Sequence, residues 1–469
     1  MHAGAARRLS QCATLTIQRE QRRSPFVGAA RPMQLSLKSL AGRMPFVNFQ
    51  TLKGMRDLLP EAWPVWDNIL DTARHIAGLY GYRRISTPIL EPTALFARSV
   101  GEVTDIVQKE MYTFEDRDGS SVTMKPEGTA SVVRAYLEHG MFTLPQPVKL
   151  YYLAEPTFRH EKPQEGRFRQ HHQFGCEALG EMSPQVDAEL IALASEFYRA
   201  TGLARLSLQV NSIGDRNCRP AYVERLRAYY EPLRGELCEE CNQRLTRNPM
   251  RLLDCKEPRC QELAAGAPHM IDYLCDACRA HWDALLATLD AIGEPYAINY
   301  TLVRGFDYYT KTVFEFWPAV QGSQSTVGAG GRYDLLAEMI GGRPTPGIGF
   351  ATGIERIVIA LQDEAVAQPA QYTYQVYVVG LGEAGHRAAF PLAQRLRSAG
   401  IVAGVSTPGR SLKAQMRAAN QSGSRFALIV GENEIAAETV QAKDLLNHTE
   451  EPVADAMIVP HLSSLLAPR

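Results

Sequence analysis

Residues 158–177 read FRHEKPQEGRFRQHHQFGCE and predict a strand, a turn and a second strand. The segment that leads into them, VKLYYLAEPTFR (148–159), is rich in β-branched and aromatic residues, as strands are. PQEG at 163–166 has the Pro and Gly of a turn. We expect the second strand to begin at Arg167.

The second strand separates two kinds of side chain, because successive residues point to opposite faces. One face carries Arg167, Arg169, His171, Gln173 and Glu177. The other carries Phe168, Gln170, His172, Phe174 and Cys176. A solvated sheet face is the ordinary explanation of so polar a row. Arg159 ends the preceding strand, however, and Arg is suited to phosphate while Glu and Gln can orient an amine or imidazole. We therefore predict a binding face, with His171 on it and His172 behind it.

Three further segments place polar groups at chain turns. TMKPEGTASVVRAYLEHG (123–140) puts Glu127, Gly128 and Thr129 at a helix entrance, where simple capping explains them as well as ligand binding does. LVRGFDYYTKTVFEF (302–316) groups Arg304, Asp307, Tyr308 and Tyr309 ahead of a strand, and TVGAGGRYD (326–334) is a glycine-rich turn. Neither alone is more than a charged or glycine-rich loop.

TPGIGFATGIERIVIAL (345–361) predicts an apolar helix after three glycines. Ile354, Ile357, Val358 and Leu361 are spaced for burial, and this leaves Arg356 on another side of the first turn. The N-terminus of a helix favours phosphate. Arg356 is therefore a candidate phosphate ligand.

Composition and charge exclude several classes of protein. The 469 residues are 45% hydrophobic and 22% charged, which is typical of a soluble protein of more than one domain. No apolar run reaches the roughly 18 residues of a membrane span. Residues 1–43 carry eight Lys and Arg against one acid, a net charge of +7, and the remainder carries 42 against 50, a net charge of −8. An acidic body argues against indiscriminate nucleic-acid binding, so any RNA must be held by local basic patches.

The chain divides into segments of different character. Residues 1–43 predict a basic, disordered extension; a transit peptide, or a true start at Met44, are the alternatives. Trp63 to Tyr82 predicts a helix with Trp66, Ile69, Leu70, Ala73, Ile76 and Leu79 on one face and Gly81 as its stop. Residues 215–290 predict a mainly helical insertion. Strands return in INYTLVRG (298–305) and KTVFEFWP (311–318), a linker is expected at 362–371, and a βαβαβ unit follows it.

The nine cysteines, most of them in the insertion, favour a reducing compartment. Cys238, Cys241, Cys275 and Cys278 form two CxxC pairs whose spacing suits a structural zinc ion, although the gap between the pairs is longer than in common zinc ribbons. Free thiols remain the alternative. We expect such a zinc to be remote from catalysis.

Taken together, these motifs resemble the histidyl-tRNA synthetases of bacterial type, which are class II aminoacyl-tRNA synthetases, from about Phe46 to the C-terminus. The hairpin resembles class II motif 2 with its arginine at Arg159, GIGFATGIERIVIAL resembles motif 3 with its arginine at Arg356, and STPILEPTALFARSVGE (86–102) resembles the dimerisation motif 1. LVRGFDYYTKTVFE and AGGRYD resemble two histidine-specific signatures. The resemblance implies an α+β catalytic domain on an antiparallel sheet (44–370, insertion about 215–290) and a C-terminal α/β anticodon-binding domain (372–469).

The resemblance also implies roles for single residues. Glu127, Gly128 and Thr129 would hold the α-ammonium group of histidine, Glu177 with Tyr308 and Tyr309 would read the imidazole, and Gln173 would orient the carboxylate. Arg159 and Arg356 would bind ATP phosphates, and Arg304 would bridge the carboxylate and the α-phosphate. ATP, Mg²⁺, histidine and tRNA(His) are the implied ligands of a cytoplasmic homodimer that forms histidyl-adenylate and transfers histidine to tRNA.

Two basic patches are candidates for RNA contact. One is the hairpin turn, with Lys162, Arg167 and Arg169. The other is a run without acids from Arg395 to Arg425, with Arg397, Arg410, Lys413 and Arg417 between them. A solvated helix face is the alternative for the second patch. A catalytically inactive histidine-sensing or regulatory paralogue ranks below the ligase, because such paralogues lack the anticodon domain or the equivalent of Arg304. A general RNA-binding protein ranks lower still, since it leaves the phosphate and imidazole groups unexplained.

Overall fold

A computed structural model describes residues 49–100, 109–163, 166–306, 308–318, 326–366 and 374–466. The predicted extension 1–43 lies outside the described residues, as do Asp307 and all but the first five residues of the predicted linker. The first two of those five, Gln362 and Asp363, are the last residues of a helix.

The strands, in chain order, are β1 (Arg83–Arg84), β2 (Leu90–Pro92), β3 (Tyr112–Glu115), β4 (Ser121–Met124), β5 (Val148–Phe158), β6 (Gln170–Leu179), β7 (Leu206–Ser212), β8 (Ala297–Ile298), β9 (Thr310–Pro318), β10 (Gly328–Arg332), β11 (Gly347–Gly353), β12 (Val376–Gly380), β13 (Ala403–Val405), β14 (Phe426–Val430), β15 (Thr439–Asp444) and β16 (Thr449–Ala454). The helices are α1 (Trp63–Leu79), α2 (Thr93–Val100), α3 (Thr129–Glu138), α4 (Pro184–Thr201), α5 (Arg219–Tyr230), α6 (Glu239–Arg247), α7 (Pro258–Ala265), α8 (Asp276–Ile292), α9 (Leu336–Met339), α10 (Ile354–Asp363), α11 (Gly382–Ser398), α12 (Leu412–Gln421), α13 (Glu432–Ala436) and α14 (Ile458–Leu466).

The larger sheet has eight strands in the order β1-β5-β6-β11-β10-β9-β7-β8. The pairs from β5 to β7 are antiparallel, whereas the short edge strands β1 and β8 join in parallel. The predicted hairpin is the β5–β6 pair, in which Phe158 faces Gln170. A bulge interrupts it at Ala154, which has a φ of 57° and no partner between the Leu153 and Glu155 pairs. The antiparallel sheet of the predicted fold class is confirmed.

One face of this sheet packs against helices and forms the main core. Phe174 on β6 is fully buried, with its ring centre 4.8 Å from Phe197 on α4 and 5.6 Å from Phe350 on β11. Such aromatic pairs add roughly 0.5–1.5 kcal/mol to their burial. Helix α4 begins where Ser183 accepts a hydrogen bond from Gln185 N, and it ends at Gly202, whose φ is 98°. Because apolar side chains fill this face around Phe174, the neighbouring Gln173 on β6 lies on the other side of the sheet.

The predicted first helix is confirmed as α1, with Trp66, Ile69, Ala73 and Ile76 buried. Leu79 is the exception, since it is 62% exposed at the end of the helix. The predicted strand 298–305 is largely wrong, because only Ile298 of it belongs to a strand. Asn299 Oδ1 accepts a hydrogen bond from Thr301 N at 3.2 Å and turns the chain away from the sheet.

The insertion is helical, as predicted, and consists of α5 to α8 with short 3₁₀ turns between them. After it, the segment from β12 onward forms a separate five-stranded sheet in the order β13-β12-β14-β15-β16. Strands β13, β12 and β14 are parallel, which confirms the βαβαβ unit. The antiparallel β15 and β16 complete the sheet and were not predicted.

Candidate active site

A cavity of about 610 Å³ lies over the middle strands of the large sheet. Four of the predicted site residues line it: Arg159, Gln173, Arg304 and Arg356. They come from the end of β5, from β6, from the loop before β9 and from α10. The fold thus brings together four groups that are up to 197 residues apart in the sequence.

Arg159 and Arg356 are held by backbone carbonyl groups and not by carboxylates. Arg159 Nε donates to the carbonyl oxygen of Pro126 at 3.0 Å, and Arg356 donates to those of Gly166 at 3.1 Å and Thr326 at 2.6 Å. Burial and the nearby guanidinium groups lower the pKa of Arg356 below its ordinary value. Two crowded cations whose described hydrogen bonds go to carbonyl groups are suited to a polyanion.

Arg304 is arranged differently, because Glu315 on β9 pairs with it at 2.5 Å. Glu315 is itself fixed by Trp317 Nε1 and Thr326 Oγ1, which each donate to it at 2.7 Å. The guanidinium carbon also lies 5.5 Å from the centre of the Tyr309 ring. Arg304 is therefore a rigid cation at the cavity wall, and Glu315 is a site residue that the sequence did not reveal.

The two predicted faces of β6 are confirmed for the histidines. His171 lines the cavity, and burial together with Arg159 and Arg356 lowers its pKa to about 3, so that the ring is neutral at physiological pH. His172 contacts Trp66 of the core, with ring centres 5.2 Å apart. Its Nδ1 atom forms a hydrogen bond of 2.8 Å with Glu355 Oε1. Gln173 is on the cavity side, and its Oε1 atom is buried with no hydrogen-bond partner among the described residues.

Glu177 lies deeper on the same strand and is fully buried. It accepts hydrogen bonds from Thr129 Oγ1 at 2.7 Å and from the Tyr333 hydroxyl group at 2.5 Å. Burial raises the pKa of Glu177 to about 8, against the lowering effect of these hydrogen bonds. Tyr333 belongs to the AGGRYD segment, but the sequence alone assigned it no role at the site.

Glycine makes room for this carboxylate. A Cβ atom on Gly349 of β11 would lie 1.6 Å from Glu177 Oε2. A Cβ atom on Gly128 would lie 2.5 Å from the Tyr152 ring, beside the start of α3. Gly349 of the motif 3 segment and Gly128 at the α3 entrance are therefore required by close packing at the site.

Glu127 serves as the cap of α3, which was one of the two explanations left open. Its carboxylate accepts from Thr129 N at 2.7 Å and from Ala130 N at 2.9 Å. Burial raises its pKa, although those hydrogen bonds and Arg159 oppose the rise. Capping leaves a lone pair on each oxygen, so Glu127 can cap α3 and accept a hydrogen bond from a ligand at the same time.

Tyr308 and Tyr309 are both buried, with ring centres 4.7 Å apart. Neither they nor Glu127, Gly128, Thr129 and Glu177 line the cavity itself. They form a second layer, which contacts the first where Tyr309 meets Arg304. The predicted site residues thus fall into an open cationic layer and a buried layer of carboxylates and tyrosines.

A buried ion pair supports the sheet beside this site. Arg332 on β10 pairs with Asp187 on α4, and Asp187 also accepts hydrogen bonds from Thr312 at 2.6 Å and from His281 Nε2 at 2.8 Å. Burial alone would raise the pKa of Asp187, but Arg332 and His281 hold this pKa below its ordinary value. His281 belongs to α8, so the pair ties the insertion to the sheet.

The structure corrects the predicted zinc ligands. Cys238 and Cys241 are grouped with Cys255 and Cys260, whereas Cys275 and Cys278 are grouped with Asp215 and Cys218. The two CxxC pairs lie at the starts of two different helices, since Cys238 precedes α6 and Cys275 precedes α8. The expected distance from catalysis is also wrong, because Cys255 is among the residues that line the cavity.

The two basic patches differ in how many of their charges are free. At the hairpin turn, Arg167 lies 3.7 Å from Glu161 and Arg169 donates to a backbone carbonyl group, while Lys162 is exposed. In the C-terminal run, Arg395 is paired with Asp455 and Arg397 and Arg425 donate to carbonyl groups. Arg410, Lys413 and Arg417 are exposed, and no described carboxylate pairs with them. The exposed charges of the second patch that have no described carboxylate partner therefore lie on α12 and in the loop before it.

Comparison with known proteins identifies the family of this chain. The chain matches the family description "Histidyl-tRNA synthetase" over residues 54–217 and 243–357, and "Anticodon binding domain" over residues 375–464. It is 51% identical to a Histidine--tRNA ligase of Dehalococcoides mccartyi, over 82% of this chain and 92% of that protein. It is 46% identical to a Histidine--tRNA ligase of Desulforamulus reducens, over 86% of this chain and 96% of that protein.

The fold also resembles that of apo S. aureus histidyl-tRNA synthetase, with a TM-score of 0.74 and 36% identity over 88% of this chain and 99% of that one. An ATP phosphoribosyltransferase regulatory subunit/histidyl-tRNA synthetase from Bacillus halodurans shares the fold alone, with a TM-score of 0.60 and 22% identity over 83% of this chain and 99% of that one. None of the described helices is long and apolar enough to cross a membrane. The matching family description and the high identity over most of its length show that this chain belongs to the histidyl-tRNA synthetase family.

Proposed function

We propose that this protein, a histidine–tRNA ligase by family, activates histidine with ATP in the cavity over the large sheet and then transfers it to tRNA. One observation carries the proposal. The guanidinium groups of Arg159, Arg304 and Arg356 line one cavity with the amide of Gln173, whose Oε1 atom has no described hydrogen-bond partner. The buried carboxylate of Glu177 lies on the same strand as Gln173. A regulatory paralogue is not favoured, since relatives about 50% identical are named as ligases.

Histidine would bind across the two layers. Glu177, with Tyr308 and Tyr309, would contact the imidazole, and Glu127, Gly128 and Thr129 would contact the α-ammonium group. Gln173 would orient the carboxylate by donating from its Nε2 atom, while its Oε1 atom, which has no described partner, would accept from an N–H group of the ligand. A buried site that hydrogen-bonds both ring nitrogens rejects analogues without them, because its own polar groups would be left unpaired.

ATP would occupy the cationic layer. Arg159 would hold the α-phosphate, and Arg356, at the N-terminus of α10, would hold the terminal phosphate of a bent ATP. Two of the hydrogen bonds of Arg356 go to carbonyl groups, so its charge is not neutralised by a described residue. Arg304 would lie between the histidine carboxylate and the α-phosphate.

The first step is an in-line displacement. An oxygen of the histidine carboxylate forms a bond to the α-phosphorus, and the bond from that phosphorus to the bridging oxygen breaks, so that pyrophosphate leaves. The carboxylate is already ionised and needs no base. Catalysis then depends on alignment and on cations at the developing charge, a role for which the paired and rigid Arg304 is suited.

Mg²⁺ is implied by the family, and the cavity has donors of the right kind. Glu315 and Glu355 line it, and hard carboxylate oxygens are preferred ligands of Mg²⁺. Glu315 Oε1 accepts one described hydrogen bond, from Arg304, and Glu355 Oε2 accepts one, from His172 N, so each of these two oxygens keeps a second lone pair. They would hold the ion together with phosphate oxygens, and the ion would reduce the charge of the phosphates.

In the second step, the terminal ribose hydroxyl group of tRNA attacks the carbonyl carbon of the adenylate and AMP leaves. The hairpin turn with Lys162, Arg167 and Arg169 would meet the acceptor end. Arg410, Lys413 and Arg417 would form the anticodon contact. We also propose the domain division 44–370 and 372–469, a cytoplasmic location, and a homodimer that uses the motif 1 region, of which residues 101 and 102 lie outside the described residues.

Pyrophosphate exchange with each of the standard amino acids tests the proposal. Only histidine should support exchange, and Arg304→Ala should reduce it by about 100-fold or more, as the loss of other charge-stabilising donors does. Arg387→Ala is the matched control, because Arg387 is exposed and its only ion pair among the described residues is with Glu383 on its own helix. The absence of histidine-dependent exchange in the wild type would overturn the proposal.

A further inference from the structure

The helical insertion carries a compact group of sulfur atoms that the proposed reaction does not use. Cys238, Cys241, Cys255 and Cys260, here called the four-cysteine cluster, have Sγ atoms that all lie within 4.8 Å of one another. All four are free thiols, and the last three are buried. We propose that the four-cysteine cluster binds one structural zinc ion, which holds a wall of the active cavity in place.

The sulfur spacing suits a metal better than a disulfide. Tetrahedral zinc with Zn–S bonds of about 2.3 Å requires sulfur atoms about 3.8 Å apart. Cys238 Sγ and Cys255 Sγ are 3.9 Å apart. A disulfide needs about 2.05 Å, and it would use two of the four sulfurs and leave two behind.

Backbone N–H groups already point at the sulfur atoms, as they do around metal thiolates. Cys241 N donates to Cys238 Sγ at 3.4 Å, and Cys238 N donates to Cys260 Sγ at 3.4 Å. Such donors orient a ligand and compensate part of its negative charge. Buried cysteines that serve only as small apolar side chains need neither these donors nor mutual contact.

The segments that supply the ligands are short, although Leu245, Leu252 and Leu263 also pack into the core around them. Cys238 and Cys241 belong to the start of α6, which has nine residues, and Cys260 belongs to α7, which has eight. Helices this short are marginal by themselves in water. Cys255 lies in the irregular segment between them. A shared ion would join all three segments, and metal binding of this kind contributes directly to folding.

The same segments form part of the cavity wall. Leu253, Asp254, Cys255 and Lys256 line the cavity, as do Gln261, Ala264 and Ala265 of α7. A Cβ atom on Gly305, next to Arg304, would lie 3.1 Å from Arg251 Nη1. The ion would therefore fix the wall that faces Arg304, although it would not touch a substrate.

The second group, Asp215, Cys218, Cys275 and Cys278, is the weaker candidate and supplies the control. Asp215 Oδ1 is occupied by Asn217 N at 2.9 Å, and Oδ2 lies 3.3 Å from the side-chain amide of Asn217. Cys275 is matched to Cys238, since both are half-buried first cysteines of a CxxC pair and both precede a helix. Replacing either cysteine by serine therefore makes the same chemical change in two different clusters.

Metal analysis of the purified full chain decides the matter. The wild type should contain about one equivalent of zinc, which Cys238→Ser and Cys255→Ser lose and Cys275→Ser keeps. Replacement by Co²⁺ should give the absorption of a tetrahedral thiolate site. If a serine variant fails to fold, release of zinc from the wild type by a thiol reagent gives the same answer without a substitution. Less than about half an equivalent in the wild type, or equal content in wild type and Cys255→Ser, would overturn the proposal.

Pyrophosphate exchange tests separately whether the ion supports the cavity wall. Removing zinc with a chelator should lower histidine-dependent exchange, and adding Zn²⁺ should restore it. Exchange that is unchanged after complete removal, as checked by metal analysis, would contradict the role in the wall. The metal content does not depend on activity, so its result stands even if the proposed reaction fails.

Discussion

Thr129 at the start of α3 donates a hydrogen bond of 2.7 Å to Glu177 on β6, and the pair joins two motifs that are 48 residues apart. Both side chains are buried, and the Tyr333 hydroxyl group donates to the second oxygen of Glu177. This carboxylate has no described cation as a hydrogen-bond partner. Burial therefore raises its pKa to about 8, which has consequences for stability and for histidine binding.

Glu177→Gln should separate these two consequences. The folded pKa of Glu177 is raised above its unfolded value, so the folded state holds the proton more strongly and the wild type loses stability as pH rises from about 4.5 to about 8. Glutamine does not titrate. The variant should therefore gain stability over the wild type across that window, by an amount on the order of a few kcal/mol at pH 8. Thermal melting at several pH values measures this difference.

The same variant should lose histidine-dependent pyrophosphate exchange, because an amide cannot replace a carboxylate opposite the imidazole. ATP binding, followed by fluorescence or calorimetry, should remain. Glu383→Gln, on the exposed face of α11, is the control for stability. A melting difference that does not vary with pH would show that Glu177 is ionised throughout the range.

Gly349→Ala tests the close packing behind Glu177. The added Cβ atom would lie 1.6 Å from Glu177 Oε2, so the carboxylate or β11 must move. We expect KM for histidine to rise by at least tenfold with a smaller change in KM for ATP, since the cationic layer lies elsewhere. Steady-state exchange kinetics measure both constants. Gly353→Ala is the control on the same segment, because its Cβ atom would be 3.7 Å from Arg356 Cγ, an ordinary contact.

Much of this site follows from the order of the motifs along the chain. Strand alternation was enough to put His171 and Gln173 on the cavity face and His172 against Trp66, because a period of two leaves no choice of side. The helix entrance at Arg356 followed from glycines and apolar spacing. These are local properties, and the sequence expresses them directly.

What the sequence did not show is which distant groups meet. Glu315 contacts Arg304 only because the chain turns before β9, and Tyr333 reaches Glu177 only because β10, β11 and β6 are adjacent in the sheet. The cysteines illustrate the same limit. Equal CxxC spacing suggested that the two pairs share one ion, but the helices between them place Cys255 and Cys260 beside Cys238.

Lys413→Ala with Arg417→Ala should separate tRNA binding from activation. These residues are exposed and four apart on α12, so they share one side of the helix. Their loss should raise KM for tRNA about tenfold or more at physiological salt and reduce the salt dependence of binding, while histidine-dependent exchange stays unchanged. Arg395→Ala is the control, since Arg395 is paired with Asp455. If Arg395→Ala weakens tRNA binding as much as the double variant does, the tRNA contact is not confined to α12.

Asp187→Asn tests the buried ion pair that supports the sheet. The substitution leaves Arg332 buried without a counter-charge, and breaking such a pair costs about 3–5 kcal/mol. The folded pKa of Asp187 is lowered, so its contribution is present above the unfolded pKa and lost as pH falls through the folded one. We therefore expect a large fall in melting temperature near neutral pH that shrinks toward acid pH. Asp71→Asn is the control, because Asp71 forms an exposed pair with Arg74. A loss of the same size at acid and neutral pH would assign the effect to packing and not to the charge of Asp187.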